Sequence, residues 1–388
     1  LGLTIGKTLE ALKEGKSGIG SVVSLGLAEL ESKLAGLVPQ FKASDVNRSL
    51  DFTGMNHLSR MAVAASYDAL QEADLKIRQK NTEATGIVMG VCNGSPESDH
   101  MNKVFSTPDF APDINNFSNI TANSTAGWVA GALQLKGVNM TLSPGHHAGL
   151  QSLAYAYEMI ADRRAKAVIA SASDEVYAQA FYNYNLIGFL YSGKEEQDYK
   201  IRLTDGKRKV LGEGAASLVL ESFLSAKERG VPVLAEVLGY GMAMDLAKYD
   251  EPCLSPDGLQ RAISVALERS SVDAGEIDCI IWAPQGNAQD SKMLSAVENI
   301  QGLRAGEIPF VTSTFNTGYI ETASVLMSIG LALKALKNGT ELWPQKTGLA
   351  YIDNRQMKQS PRNILAIGSS DLGYNFAVVL AAGERIVS

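Results

Sequence analysis

Between Asn119 and Leu153 the chain places a small-residue helix, a short apolar run, and the turn Ser143-Pro144-Gly145-His146-His147-Ala148-Gly149 ahead of a second helix. A side chain on such a strand-to-helix turn is exposed at a helix N-terminus, where the dipole favours a thiolate or an oxyanion. This is the layout of a nucleophile elbow. The turn carries the adjacent pair His146 and His147. A His-His pair can bind a metal ion, but no third ligand is apparent nearby in the sequence, so no metal site is expected. The other histidines are His57 and His100. His57 reads as a capping or surface residue, and His147 as a ring packed under the elbow. Cys92 follows a strand and Cys279 lies inside one, so both read as buried core thiols.

The elements that must hold this turn alternate along the whole length. Strand candidates are Gly86–Val91, Val138–Ser143, Ala167–Ser171, Ala216–Glu221, Ile277–Trp282 and Ile364–Gly368. Amphipathic segments lie between them. In Ala148–Arg164, residues Leu150, Leu153, Ala154, Tyr157 and Ile160 share one helical face. This rhythm predicts an α/β protein with helices on both sides of mostly parallel sheets. One segment echoes another: Ala167-Val-Ile-Ala-Ser-Ala-Ser-Asp174 is similar to Leu365-Ala-Ile-Gly-Ser-Ser-Asp371. Each is a buried strand ending in small residues and an aspartate, about half a chain apart, as two duplicated halves would place them. A break near Glu221–Pro232 separates the halves.

Composition narrows the function classes. The 388 residues carry 35 Lys+Arg against 42 Asp+Glu, a net charge of −7, and 45% are hydrophobic. That balance excludes wholesale disorder and argues against non-specific nucleic-acid binding. The three cysteines are far apart and form no CxxC, which fits a reducing cytoplasm. The longest uncharged helical run, Thr322–Leu333, is too short to span a bilayer. Lys7, Glu10, Lys13 and Glu14 interrupt any signal-peptide core. Leu1-Gly2-Leu3 reads as the end of a strand-to-helix turn, so a leading strand is expected to be missing.

The segment around the elbow resembles the β-ketoacyl synthase family of the thiolase superfamily. That family shows an Asn-x-x-Ala-Gly helix, Leu-Lys-Gly-Pro-Asn, a strand, and Ala-Cys-Ala-Ser-Gly. Asn123, Ala126, Gly127, Leu135-Lys136-Gly137, Asn139 and Gly149 match in order. Gly212-Glu213-Gly214-Ala215 matches the family's Gly-Glu-Gly-Ala, and Leu238-Gly-Tyr-Gly-Met242 its Val-Gly-Tyr-Gly-Met. Ser313-Thr314 followed by Thr317-Gly318 is similar to its Ser-Thr-Lys-Ser-x-x-Gly-His region, one residue shorter. The resemblance covers essentially the whole chain. It implies a thiolase fold of two duplicated βαβαβ halves in five α-β-α-β-α layers, residues 1–225 and 226–388. Glu213 and Asp205 fall in or near shared scaffold motifs and read as loop supports.

The residues that perform the family's chemistry are all different. Setting Gly149 against the family's glycine puts His146 where the Cys nucleophile belongs. The two catalytic histidines fall on Gln285 and Tyr319, and the supporting lysine on Phe315. The glycine-rich gating loop becomes Asp371-Leu372-Gly373-Tyr374. An imidazole cannot replace a thiolate in transthioesterification followed by carbon–carbon bond formation. The isolated chain is therefore expected to be inactive as a condensing enzyme.

One branch of the family shows this pattern: the chain length factor, or ketosynthase β subunit, of type II polyketide synthases. There Gln commonly replaces the Cys, whereas here it is His146. The resemblance implies a non-catalytic subunit paired with an active ketosynthase, shaping the acyl tunnel of a β-ketoacyl acyltransferase complex in type II polyketide or polyene biosynthesis. It implies malonyl units delivered by an acyl carrier protein, no cofactor in this chain, and phosphopantetheine on the carrier. The interface would lie between Met101 and Gly131, where Phe105, Phe110, Phe117 and Trp128 are candidate tunnel-floor or dimer-core residues. Arg163, Arg164, Lys166 and the run Lys207-Arg208-Lys209 are candidate docking residues for an acidic carrier. Two alternatives remain: a malonyl-carrier decarboxylase using the elbow's backbone amides as an oxyanion hole, or a non-enzymatic scaffold.

Overall fold

The computed structural model describes residues 1–26, 30–93, 117–192, 209–246, 253–304, 306–340 and 361–383. Three sheets form. A small one joins β1 (Ile19–Ser21), β2 (Leu34–Gly36) and β6 (Leu211–Gly212). The first large sheet has the order β4-β3-β5-β7, with β3 Thr85–Gly90, β4 Asn139–Leu142, β5 Ala167–Asp174 and β7 Gly214–Glu221. The second has the order β10-β9-β11-β12-β8, with β8 Ala235–Met244, β9 Cys279–Ile281, β10 Phe310–Val311, β11 Asn363–Ser369 and β12 Tyr374–Ala382.

The echo between Ala167–Asp174 and the segment ending at Asp371 is a true structural repeat. β5 runs parallel to β3 and antiparallel to β7. β11 runs parallel to β9 and antiparallel to β12. Both strands are buried over their full length, which explains their near-continuous apolar and small-residue runs.

The helices are α1 (Ile5–Lys13), α2 (Ala43–Val46), α3 (His57–Glu72), α4 (Ser124–Leu133), α5 (Ala148–Ala161) and α6 (Ala178–Leu186). They continue with α7 (Phe223–Arg229), α8 (Asp257–Ser270), α9 (Ala288–Glu298), α10 (Thr314–Thr317) and α11 (Ser324–Lys337). α5 and α11 lie between the two large sheets, in one core cluster with residues of β3, β5, β9, β11 and β12. α3 and α4 cover the outer face of the first sheet. α8 and α9 cover the outer face of the second. The result is the expected five-layer arrangement. α8 shows how the sequence specifies its layer: Leu259, Ala262, Ile263, Ala266 and Leu267 recur at helical spacing and are all buried.

Three strands missed in the sequence, β8, β10 and β12, complete the second sheet. β8 contains Gly239-Tyr240-Gly241, which interrupts a strand pattern. The glycine has a packing cause, since a Cβ on Gly241 would lie 1.9 Å from the Ala262 carbonyl oxygen of α8. The first sheet has no counterpart of β8 among the described residues, so the outer edge of β7 is unpaired. An apolar cleft of about 490 Å³ runs along that edge, lined by residues such as Leu3, Phe41, Leu218, Leu234 and Met327.

His57 departs from its expected role as a cap or surface residue. Asn56 is the cap of α3, accepting from the Ser59 N–H at 3.0 Å. His57 is instead buried, with Nε2 3.3 Å from Glu213 Oε1. Glu213 also accepts from the Val38 N–H at 2.7 Å and the Val176 N–H at 3.0 Å, so it is a loop support as expected. Burial alone would lower the His57 pKa, but Glu213 more than offsets this and raises it. A raised histidine pKa stabilises the fold below the unfolded value of about 6.5 and stops doing so as pH rises through the folded value. His57→Gln should therefore cost more stability below about pH 6 than above about pH 8. Denaturant midpoints at the two pH values check this, and equal losses would refute it.

Candidate active site

The elbow lies between β4 and α5, at the carboxyl ends of the parallel strands, where open α/β sheets bind ligands. His147 is the N-cap of α5 and adopts φ +66°, a left-handed conformation that costs a non-glycine residue about 1–2 kcal/mol. Its surroundings hold it there. The ring lies against Gly368, where any Cβ would fall 2.6 Å from the imidazole Cγ. Nε2 is 2.9 Å from the Ser369 carbonyl, which can only accept, so that nitrogen carries the proton. Burial, with His146 nearby, pushes the His147 pKa down to about 3, so the ring is neutral. It packs beneath the elbow as expected.

The expected positions come together around this ring. The Tyr319 hydroxyl is 3.3 Å from His147 Nε2, and the Tyr319 side chain is wholly buried. Gln285 Nε2 donates to the same Ser369 carbonyl at 3.3 Å. Its loop is fixed by Asp290, which accepts from the Gln285 N–H at 2.8 Å and the Gly286 N–H at 2.7 Å. Phe315 is buried in α10.

His146 points to the other side of the elbow, toward a group that sequence reasoning missed. Its Nε2 is 3.0 Å from Glu321 Oε1, and both side chains are largely enclosed. Glu321 also accepts from Tyr184 Oη and from Asn93 Nδ2. Burial alone would raise its pKa. His146, then Lys209 and Tyr184, reverse that and hold it down at about 2, so Glu321 is a carboxylate. A second buried carboxyl, Asp174 at the end of β5, accepts from the Cys92 N–H at 3.2 Å and the Thr322 N–H at 2.7 Å. Burial and the nearby Glu321 charge raise its pKa to about 7.

Lys209 was expected to be a docking residue. It is 1% exposed, with its ammonium about 5 Å from the rings of Tyr184, Phe189 and Tyr319. A cation held on aromatic faces beside a buried carboxylate contributes to the site's electrostatics and is unavailable to a partner. Arg163, Arg164 and Lys166 are exposed. Lys207, Arg208, Asp205, His100, Phe105 and Phe110 lie outside the described residues. Phe117 is 67% exposed. Trp128 is half-buried against the outer core, and its indole N–H donates to Asn119 Oδ1 at 2.7 Å.

The three thiols are all partly or wholly enclosed. Cys92 is half-buried, and burial together with the Glu321 and Asp174 charges pushes its pKa well up. Cys279 sits in β9 and is pushed to about 12 by burial. Cys253 is buried. One sequence signal for Glu321 existed: it is the single charged residue between Phe310 and Leu333. A lone carboxylate in so apolar a run must find buried partners. Cys92, His146 and Glu321 converge with their donor atoms within 4.8 Å of one another, and His147 takes no part in this cluster.

Comparison with known proteins follows this geometry. The family model for the N-terminal domain of beta-ketoacyl synthase matches residues 2–226. The chain is 26% identical over 333 residues to the 3-oxoacyl-(acyl-carrier-protein) synthase 2 of Vibrio harveyi, covering 82% of this chain and 79% of that protein. Its fold is similar to the ishigamide ketosynthase/chain length factor, with TM-score 0.82, 23% identity and coverage of 98% and 95% of the two chains. It is similar also to a type II polyketide synthase ketosynthase, solved with its acyl-carrier protein and bound to the hexaketide, with TM-score 0.83, 20% identity and coverage of 99% and 96%. With the family match spanning more than half of its length, the chain belongs to the β-ketoacyl synthase family.

Proposed function

We propose that this chain is the non-condensing, chain-length-factor-type member of a ketosynthase pair, which shapes the acyl tunnel while an active partner condenses malonyl units. The observation that carries the reading is the elbow. His146, which the sequence motifs set against the family's thiolate, pairs with a buried carboxylate, and Gln285 and Tyr319, set against its two histidines, lie beside the same turn. A carboxylate beside that position disfavours a thiolate at the same place. The solved ketosynthase/chain length factor of similar fold and the carrier-protein synthase among its relatives agree with a place in polyketide or fatty-acid chain building.

The surface supports a partner. On α6 and its C-cap, Tyr182, Leu186 and Ile187 are 41%, 63% and 60% exposed at helical spacing, an apolar stripe that a free surface seldom carries. Exposed Phe117 is a second such group. In this reading the substrate arrives on the phosphopantetheine arm of an acyl carrier protein, and exposed Arg163, Arg164 and Lys166 offer charge complementary to an acidic carrier. The decarboxylase alternative must do without two of the elbow's amides. The His147 and Gly149 N–H groups already donate to the carbonyls of Glu321 and Thr322, both at 3.2 Å, and are not free to bind an enolate oxygen.

Co-expression with an intact ketosynthase tests the proposal. The expected product is a one-to-one heterodimer that condenses malonyl units only when both chains are present. A homodimer that ignores the ketosynthase would overturn the reading, and carbon dioxide release by the isolated chain would favour the decarboxylase. The double change Leu186→Glu and Ile187→Glu should weaken assembly by about tenfold or more, corresponding to ~1.4 kcal/mol, with an unchanged melting temperature. Assembly at wild-type affinity would remove α6 from the interface. His146→Cys alone should leave the isolated chain without condensing activity, because Glu321 remains beside the new thiol. Acyl transfer onto that cysteine from a loaded carrier protein would contradict this.

A further inference from the structure

We propose that Cys92, His146 and Glu321 form a binding site for a single divalent transition-metal ion, with zinc the best match to the donor set. The inference is independent of the partner-subunit reading. The three ligands come from three different elements: the segment after β3, the elbow before α5, and the turn between α10 and α11. One sulfur, one imidazole nitrogen and one carboxylate oxygen lie within 4.8 Å of one another. Tetrahedral zinc with ordinary bond lengths holds such atoms about 3.3–3.6 Å apart. His146 Nε2 and Glu321 Oε1 are already at 3.0 Å. A metal ion entering there takes the place of the proton between them, and the pair opens by a few tenths of an ångström.

Two of the three ligands have supporting partners. Glu321 is oriented by the Tyr184 hydroxyl and the Asn93 amide, and the Cys92 backbone N–H is held by Asp174 Oδ1 at 3.2 Å. On His146, Nε2 faces the cluster, and Nδ1 has no hydrogen-bond partner among the described residues. Charge does not oppose binding. Glu321 and Asp174 are enclosed together, with Lys209 the nearby cation. A dication that displaces the thiol proton of Cys92 and the proton between His146 and Glu321 leaves the net charge of that enclosure unchanged. Three protein ligands leave a tetrahedral ion one position, open to water or to a carbonyl oxygen. Binding is written as one dication in and the Cys92 thiol proton and the Nε2 proton, where present, out, with no redox change.

The test uses the full chain, stripped with a chelator and dialysed against zinc or cobalt(II). Bound zinc is counted by elemental mass spectrometry, and affinity is measured by calorimetry. The expected result is about one zinc per chain. With cobalt, a thiolate-to-cobalt charge-transfer band and strong visible bands of tetrahedral symmetry should appear. Cys92→Ser should abolish the charge-transfer band, and His146→Ala should weaken zinc binding about tenfold or more. Cys253→Ala, away from the cluster, should bind as the wild type does. Cys92→Ser is close to isosteric, so it remains informative even if Glu321→Gln fails to fold. Failure of the wild-type chain to bind zinc, or a cobalt spectrum unchanged in Cys92→Ser, would overturn the proposal.

Discussion

Two carboxyl groups enclosed in the same dry space, Asp174 and Glu321, set the terms for everything at the elbow. A buried carboxylate is tolerable only when donors surround it, and each missing donor costs about 1–3 kcal/mol. Asp174 draws in the backbone of Cys92 and Asn93 and both the amide and hydroxyl of Thr322. Glu321 draws in His146, Tyr184 and Asn93. These donors belong to the segment after β3, the elbow before α5, helix α6 and the turn before α11. Satisfying two acids therefore fixes four separate pieces of chain relative to one another. The effect on the acids differs. Glu321 has the cations and stays charged, whereas Asp174, next to that charge, is shifted upward to about 7.

The same arrangement gives the elbow histidine a partner. Glu321 Oε1 lies 3.0 Å from His146 Nε2. His146 and Glu321 are thus a matched pair, and the second half of the pair makes the site inhospitable to a thiolate. His147 beneath them is of another kind: neutral, wholly buried, and seated on Gly368 with its proton on the Ser369 carbonyl.

The scaffold was legible in the sequence because its signals are local. Continuous apolar runs mark β3, β5, β9 and β11, helical spacing marks α5, and the repeated strand ending in an aspartate reveals the duplication. β8, β10 and β12 were not seen. β8 is broken by glycines that serve the close approach of α8, a requirement visible only once both elements are placed. Positions 146, 285, 315 and 319 could be singled out from the motifs around them. Their partners could not. Glu321, Cys92 and Lys209 meet His146 or its neighbours only through the fold, and Lys209 looked like part of a solvated basic run when it is caged by three rings.

The two large sheets differ at one margin. In the second sheet, β8 lies beside β12 and uses its backbone hydrogen-bonding groups. The corresponding margin of β7 has no strand beside it among the described residues, and an apolar cleft runs along it. By the duplication, an extended segment laid antiparallel to β7 would stand where β8 stands in the other half.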